Sequence, residues 1–169
     1  EQHGSLMRLI AGRLHQAVDE NFNSQGRPAW AGLKLGSQLS RAGALTKRGQ
    51  VSQARFDKYV RNHKILQKTG RLRNSITEAS DNDSARVGTN VAYAAIHNFG
   101  GQTAAHMIYP RHKKALAWAT GAYPVKSVKP PGSRIPARPF MQLTPQDEHE
   151  LVETVSDYLA SVCGLPKGS

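Results

Sequence analysis

Two amphipathic stripes, one at each end of the chain, constrain the fold most, because nothing between them carries a comparable period. Leu6, Ile10, Leu14, Val18 and Phe22 recur every four residues, which places them on one face of a helix. Ser5 stands before the stripe as a candidate cap, and "NSQGRP" supplies breakers just beyond it. The second helix spans residues 144–163. Thr144 precedes Pro145 at the first helical position, and Asp147 and Glu148 occupy the first turn, where the helix dipole favours anions. Leu151, Val155, Tyr158 and Val162 form its stripe, widened by Val152 and Leu159, and Gly164 and Pro166 end it. Such stripes usually serve as core, so both helices must bury these faces against whatever the middle of the chain supplies.

That middle reads as short elements. Residues 26–50 hold five glycines, one proline and many basic residues without a period, which predicts a long basic loop with at most one helical turn. "SQARFDKYVRNHKIL" predicts a polar helix with Phe56, Val60 and Leu66 facing inward, and Thr69 in "TGRLRNSI" is placed to cap a short turn. Ile76 to Ala79 and Ala85 to Thr89 read as strands joined by "DNDS", whose Asn and Asp residues suit a turn. "HMIYP", "KKALAW" and "YPVKSV" are three further strand candidates. "KPPGSRIPARPF" has four prolines in twelve residues, too many for a helix or central strand, and should run extended over the surface. The expected class is α+β: one domain over residues 1–169, with a small antiparallel β-sheet flanked by N-terminal and C-terminal helices.

Composition narrows the chemistry. No run approaches the roughly 18 apolar residues of a membrane span, and no signal peptide is legible, so a membrane is not an expected partner. The lone Cys163 excludes an internal disulfide and suits a reducing cytoplasm. Lys and Arg number 23 against 12 acidic residues, a formal net charge of +11. A polyanion such as nucleic acid, an acidic protein partner, or merely a solvated basic surface would each fit that balance. Enzyme readings fare poorly. No nucleophile elbow, zinc-protease helix or phosphate-binding glycine loop occurs. His97, His106 and His112 are spaced by nine and six, which fits no helix face, and no carboxylate lies between Asp83 and Asp147 to join or orient a metal. Cys163 falls in the last turn of a helix, where the dipole disfavours a thiolate. No catalytic residue, cofactor or metal site is expected. Basic residues cluster at Arg41, Lys47 and Arg48, at Arg111, Lys113 and Lys114, and at Lys126, Lys129, Arg134 and Arg138, with Tyr109, Trp118 and Tyr123 interleaved. Phosphate contact suits such a face, but no base-reading signature accompanies it.

In order along the chain stand "GRPAWAGLK", "ILQKTGRLRNSI", "VGTNVAYAAIHNFGG", "KKALAW" followed by "YPVKSVKPPG", and "IPARPFM". This series, from about Gly26 to Met141, resembles the phage virion morphogenesis proteins of the Mu type, related to the tail-completion and head–tail joining proteins of other tailed phages. The resemblance implies a structural, non-enzymatic virion protein at the head–tail junction, made in the host bacterial cytoplasm. Its implied partners are copies of itself in a ring, expected to be hexameric, together with tail-tube and head-connector proteins. It also implies that residues 102–133 form a long hairpin arm. Whether such a subunit terminates the tail, completes it or joins it to the connector stays open, and a sequence-independent DNA-binding protein is the alternative.

Under that reading "NVAYAAIHNFGG" is a packing and docking element. Tyr93, Ile96 and Phe99 are three apart, on one side of a helical turn, and Gly100 and Gly101 allow a sharp exit. His97 and Asn98 either face a neighbouring subunit or cap the turn. In "IPARPF", Pro136 and Pro139 fix the path, Phe140 anchors in the core, and Arg138 is free for a partner carboxylate. The expected docking set is thus Tyr93, Ile96, His97, Asn98, Phe99, Gly100, Gly101, Arg138 and Phe140. Arg111, Lys113, Lys114, Lys126, Lys129 and Arg134 are the expected contacts to genome DNA or an acidic partner.

Overall fold

Helix α1 (Gln2–Asn23) is the element on which the other layers are laid. Its stripe buries fully only toward the C-terminal end, where Val18 and Phe22 enter the core, while Ala11, Ala17 and Asn21 are buried beside it. The helix starts before Ser5, which lies inside it and does not cap it. The structure, a computed structural model, describes residues 2–46, 49–111, 115–116 and 124–164. Of the residues singled out above, Lys47, Arg48, His112, Lys113, Lys114, Trp118, Tyr123 and Pro166 lie outside the described residues.

Against α1 lie a hairpin and the last helix. Strands β1 (Ile76–Ser80) and β2 (Ala85–Thr89) pair antiparallel from Ile76↔Thr89 to Ser80↔Ala85. The turn between them is tied by Asp81, whose carboxylate accepts hydrogen bonds from the amides of Asp83 and Ser84 and from the Ser84 hydroxyl. Helix α6 (Pro145–Cys163) begins with a capping box: the Thr144 hydroxyl accepts from the Asp147 amide, and the Asp147 carboxylate accepts from the Thr144 amide. Arg13 of α1 reaches across to α6, donating to Thr154 and pairing with Glu150 at 3.7 Å. Among the described residues, no helix is long and apolar enough to cross a membrane.

The core is small and joins residues distant in sequence. Val18, Phe22, Trp30, Leu72, Ile76, Val91, Ala94 and Phe140 form it, with Ile65, Leu66, Val87 and Met141 packed on its edge. Phe22 sits at its centre, edge-on to Trp30 at 5.7 Å and tilted against Phe140 at 5.3 Å between ring centroids. Leu72 comes from the short α4 (Arg71–Asn74), which follows the Thr69 hydroxyl's bond to the Arg71 amide.

Three expectations need correction. Residues 26–50 are more than a loop: Trp30 plugs the core and Leu35–Ala42 forms α2, which ends on Gly43 in a left-handed conformation. Glycines break the apolar period there, so the helix is held by packing on α3 (Gln53–Asn62) and not by a stripe on the core. Within α3, Phe56 is half-buried but Val60 is exposed, because α3 packs on α2 and contributes nothing fully buried. The proline-rich run does not stay on the surface. Arg134–Ile135 pairs as β4 with β3 (Gly101–Gln102), and Arg138 and Phe140 then plunge inward.

Among the described residues between β3 and β4, two isolated antiparallel bridges continue this pairing into an arm. Ile108 pairs with Val128 in the same register as Gly101↔Ile135, so seven residues advance on each side. Leu116 next pairs with Val125, eight residues on against three. The strand candidates "HMIYP", "KKALAW" and "YPVKSV" thus appear, among the described residues, as single bridges and not as continuous strands.

Candidate functional site

The segment after the arm is clamped by buried amides. Helix α5 (Ala94–Phe99) ends at Gly100, whose φ of 74° and ψ of 178° fall where essentially only glycine is stable. A Cβ there would stand 2.8 Å from the Ala137 amide nitrogen. The sharp exit lets Asn98 turn inward, and its Oδ1 accepts from the amides of Phe140 and Met141, both at 3.0 Å. From the opposite side Asn21, fully buried in α1, donates its Nδ2 to the carbonyls of Phe140 and Gln142. Asn98 therefore braces the 140–141 segment through its side-chain oxygen.

Arg27, which the sequence did not flag, completes the clamp. Its guanidinium donates to both Asp147 oxygens at 2.9 Å, to Glu20, to the Asn21 Oδ1 and to the Ala17 carbonyl. Burial pushes the Asp147 carboxyl upward, but the Thr144 amide and hydroxyl and Arg27 outweigh that and hold it below the usual carboxylate range. Arg138 is also committed internally. It is 4% exposed, and its Nε and Nη2 donate to the carbonyls of Ala31 and Gly32. The expectation of a free guanidinium is corrected, because the loop after Trp30 uses that fork to satisfy its own carbonyls. Phe140 anchors the core as expected.

Beside this clamp lie two adjoining concavities that share Lys68. One, of about 290 Å³, is lined by Tyr59, Asn62, His63, Lys64, Gln67 and Lys68. The other, of about 160 Å³, brings Arg41 and Lys68 together with Thr69, Tyr93, His97 and Arg138 over an apolar floor of Leu66 and Leu72. Among the described residues, no carboxylate lines either one. Among the described residues, the buried side-chain polar atoms without a hydrogen-bond partner are Tyr59 Oη, His63 Nε2 and His97 Nδ1, and all three residues line this cleft. Leaving such a group unpaired costs about 1–3 kcal/mol, so all three are open to water or to a polar atom from outside the chain. Tyr59 and His63 stack at 4.4 Å, which fixes both rings at its wall.

Its electrostatics favour an anion. Burial lowers the His97 pKa, and the charges of Arg138 and Arg41 lower it further. His63 is lowered by burial, then by Arg41 and Lys68. Both shifts disfavour the charged imidazolium, and a carboxylate or phosphate entering the cleft would relieve the crowding of like charge. Of the expected docking set, Tyr93, His97 and Arg138 meet here. Ile96 is half-buried, its side chain within reach of the Gly101 backbone, and Phe99 points away at 78% exposure. Of the expected contact residues, Arg111, Lys126, Lys129 and Arg134 are exposed on the arm. His97 and His106 join no metal-binding group among the described residues, and Cys163 is exposed at the end of α6. The sequence missed Tyr59, His63, Lys64 and Lys68 as site residues. The signal available was a basic, aromatic run with little apolar content, which reads equally well as a solvated helix.

Comparison with known proteins follows the same lines. No solved structure matches the chain. It is 36% identical over 153 residues to the Mu-like prophage FluMu G protein 2 of Haemophilus influenzae, covering 90% of this chain and 75% of that protein. The model of the phage virion morphogenesis family matches residues 1–160, so the chain belongs to that family.

Proposed function

We propose that this protein works without turnover, as a ring of identical subunits at the head–tail junction of a tailed phage or prophage. In this reading it grips an acidic segment of an adjoining tail-tube or connector protein through the cleft between α2, α3 and α5. The observation that carries the reading is the cleft itself: cations and unpaired buried polar atoms converge there with, among the described residues, no carboxylate of the chain's own. A catalytic centre would need the reverse, a nucleophile or acid–base pair in mutual contact. The family's role in virion morphogenesis supports an assembly of repeated subunits, and heterologous contacts between identical copies would close it into a ring.

The test separates protein docking from DNA contact. Arg41→Glu with Lys68→Glu should reduce attachment to purified tails roughly tenfold or more, about 1.4 kcal/mol. Affinity for free duplex DNA should change little. Unchanged attachment in that variant refutes docking through the cleft. Sequence-independent DNA binding remains a second reading because the arm's exposed cations carry no acidic neighbour in sequence from Asp83 to Asp147. It is favoured if Lys126→Gln with Lys129→Gln weakens duplex binding while tails still attach.

A further inference from the structure

Acidic residues are segregated in this chain. Five of its twelve lie on α6, which has no Lys or Arg, whereas the six basic residues of 102–135 have no acidic neighbour there. The same two regions expose apolar side chains. On the arm, Ile108, Tyr109 and Val125 are 38%, 63% and 37% exposed. On α6, Val152, Leu159 and Val162 are exposed, and Val152 borders a groove of about 270 Å³ formed with Ile10, Leu151, Val155 and Ser156. Helical spacing puts Val152, Ser156 and Leu159 on one line, with Glu148 a turn before them and Glu153 and Asp157 along the flank.

An isolated two-stranded ribbon is at best marginally stable in water and needs a third layer to cover an apolar face. Among the described residues, the arm pairs at its base and at Ile108↔Val128 and Leu116↔Val125. We propose that its missing layer is α6 of a second copy of this chain: Ile108, Tyr109 and Val125 seat on the α1–α6 groove, and Lys126 and Lys129 face Glu153 and Asp157. The contact is head-to-tail, with different surfaces on the two sides, so repeating it generates a closed ring or an open helix. This inference rests on the ring reading and names the surfaces that build it. The cleft beside α5 takes no part and stays available for the adjoining virion protein.

Light scattering on the full chain tests it. Lys126→Glu with Lys129→Glu, and separately Glu153→Lys with Asp157→Lys, change exposed residues only. Each variant should lose the oligomer and run at the chain mass of 18.5 kDa. An equimolar mixture of the two should regain the wild-type mass, because reversed arm meets reversed helix at every second joint. A second pair of variants reads the direction of the contact. Tyr109→Ser, mixed with Val152→Ser carrying Leu159→Ser, should stop at two chains, since only one intact joint can form. Unchanged oligomers in the charge variants, or no recovery on mixing, overturn this inference and leave the ring reading standing. If a chain carrying all four charge reversals oligomerises but the mixture does not, the arm sits on its own helix, which overturns this inference too. A wild-type chain that stays monomeric with and without tail tubes overturns both readings.

Discussion

Asn98→Ala is the most informative single perturbation of the fold. The side chain is 9% exposed, and its Oδ1 is the acceptor for two amides, Phe140 and Met141, each at 3.0 Å. Alanine removes the acceptor and brings no replacement, and the site is too enclosed for bulk water to serve both donors. An orphaned buried N–H costs about 1–3 kcal/mol. With partial relaxation of a surface-proximal segment, the pair should cost about 3 kcal/mol. For a chain of this size that is a fall of roughly 6–12 °C in Tm, at about 2–4 °C per kcal/mol. Urea unfolding should show a lower midpoint at unchanged slope, because the surface exposed on unfolding hardly changes. Amide exchange should accelerate most at Phe140 and Met141. The neighbouring Phe99→Ser is the control. Phe99 is 78% exposed, so its loss should alter monomer stability by no more than about 0.5 kcal/mol. If Asn98→Ala is as mild as Phe99→Ser, the clamp does not hold the 138–141 segment.

Two further outcomes follow from the same clamp. Asp147 is held below its usual pKa, so its carboxylate contributes stability that is present above about pH 4 and lost as pH falls through the folded-state value. Wild type should therefore lose urea midpoint on acidification more steeply than Asp147→Asn, and parallel curves would remove Asp147 from the account. Gly100→Ala should cost at least about 2 kcal/mol, from a backbone conformation worth about 1–3 kcal/mol of strain to any other residue plus the clash with Ala137. An unfolding midpoint equal to wild type would show that the turn relaxes freely.

Legibility in the sequence followed how local each signal was. The terminal helices, the β1–β2 hairpin and its Asp-tied turn were readable, because period, caps and turn chemistry operate within a few residues. Helix α2 was not, since Gly36 falls in its first turn, Gly43 ends it, and its support comes from α3. The sharp exit at Gly100 and the anchoring of Phe140 in the core were legible, but the burial of Arg138 was not. Proline-rich surroundings suggested an exposed guanidinium, and only the folded path of Ala31 and Gly32 gave it two carbonyls to bond.

By itself the sequence determined where regular structure begins and ends at both termini, which residues are apolar enough to form a core, and which family the motifs belong to. Tertiary structure decided the fate of the polar groups. Arg27 meets Asp147 across 120 positions, Asn98 meets Phe140 across 42, and Tyr59, His63, His97, Arg41 and Lys68 converge on one cleft from three helices and the turns between them. The reason is physical. A hydrophobic period is satisfied by any apolar surface, whereas a buried hydrogen bond or ion pair needs one partner at about 3 Å, and only the packed chain fixes which partner that is.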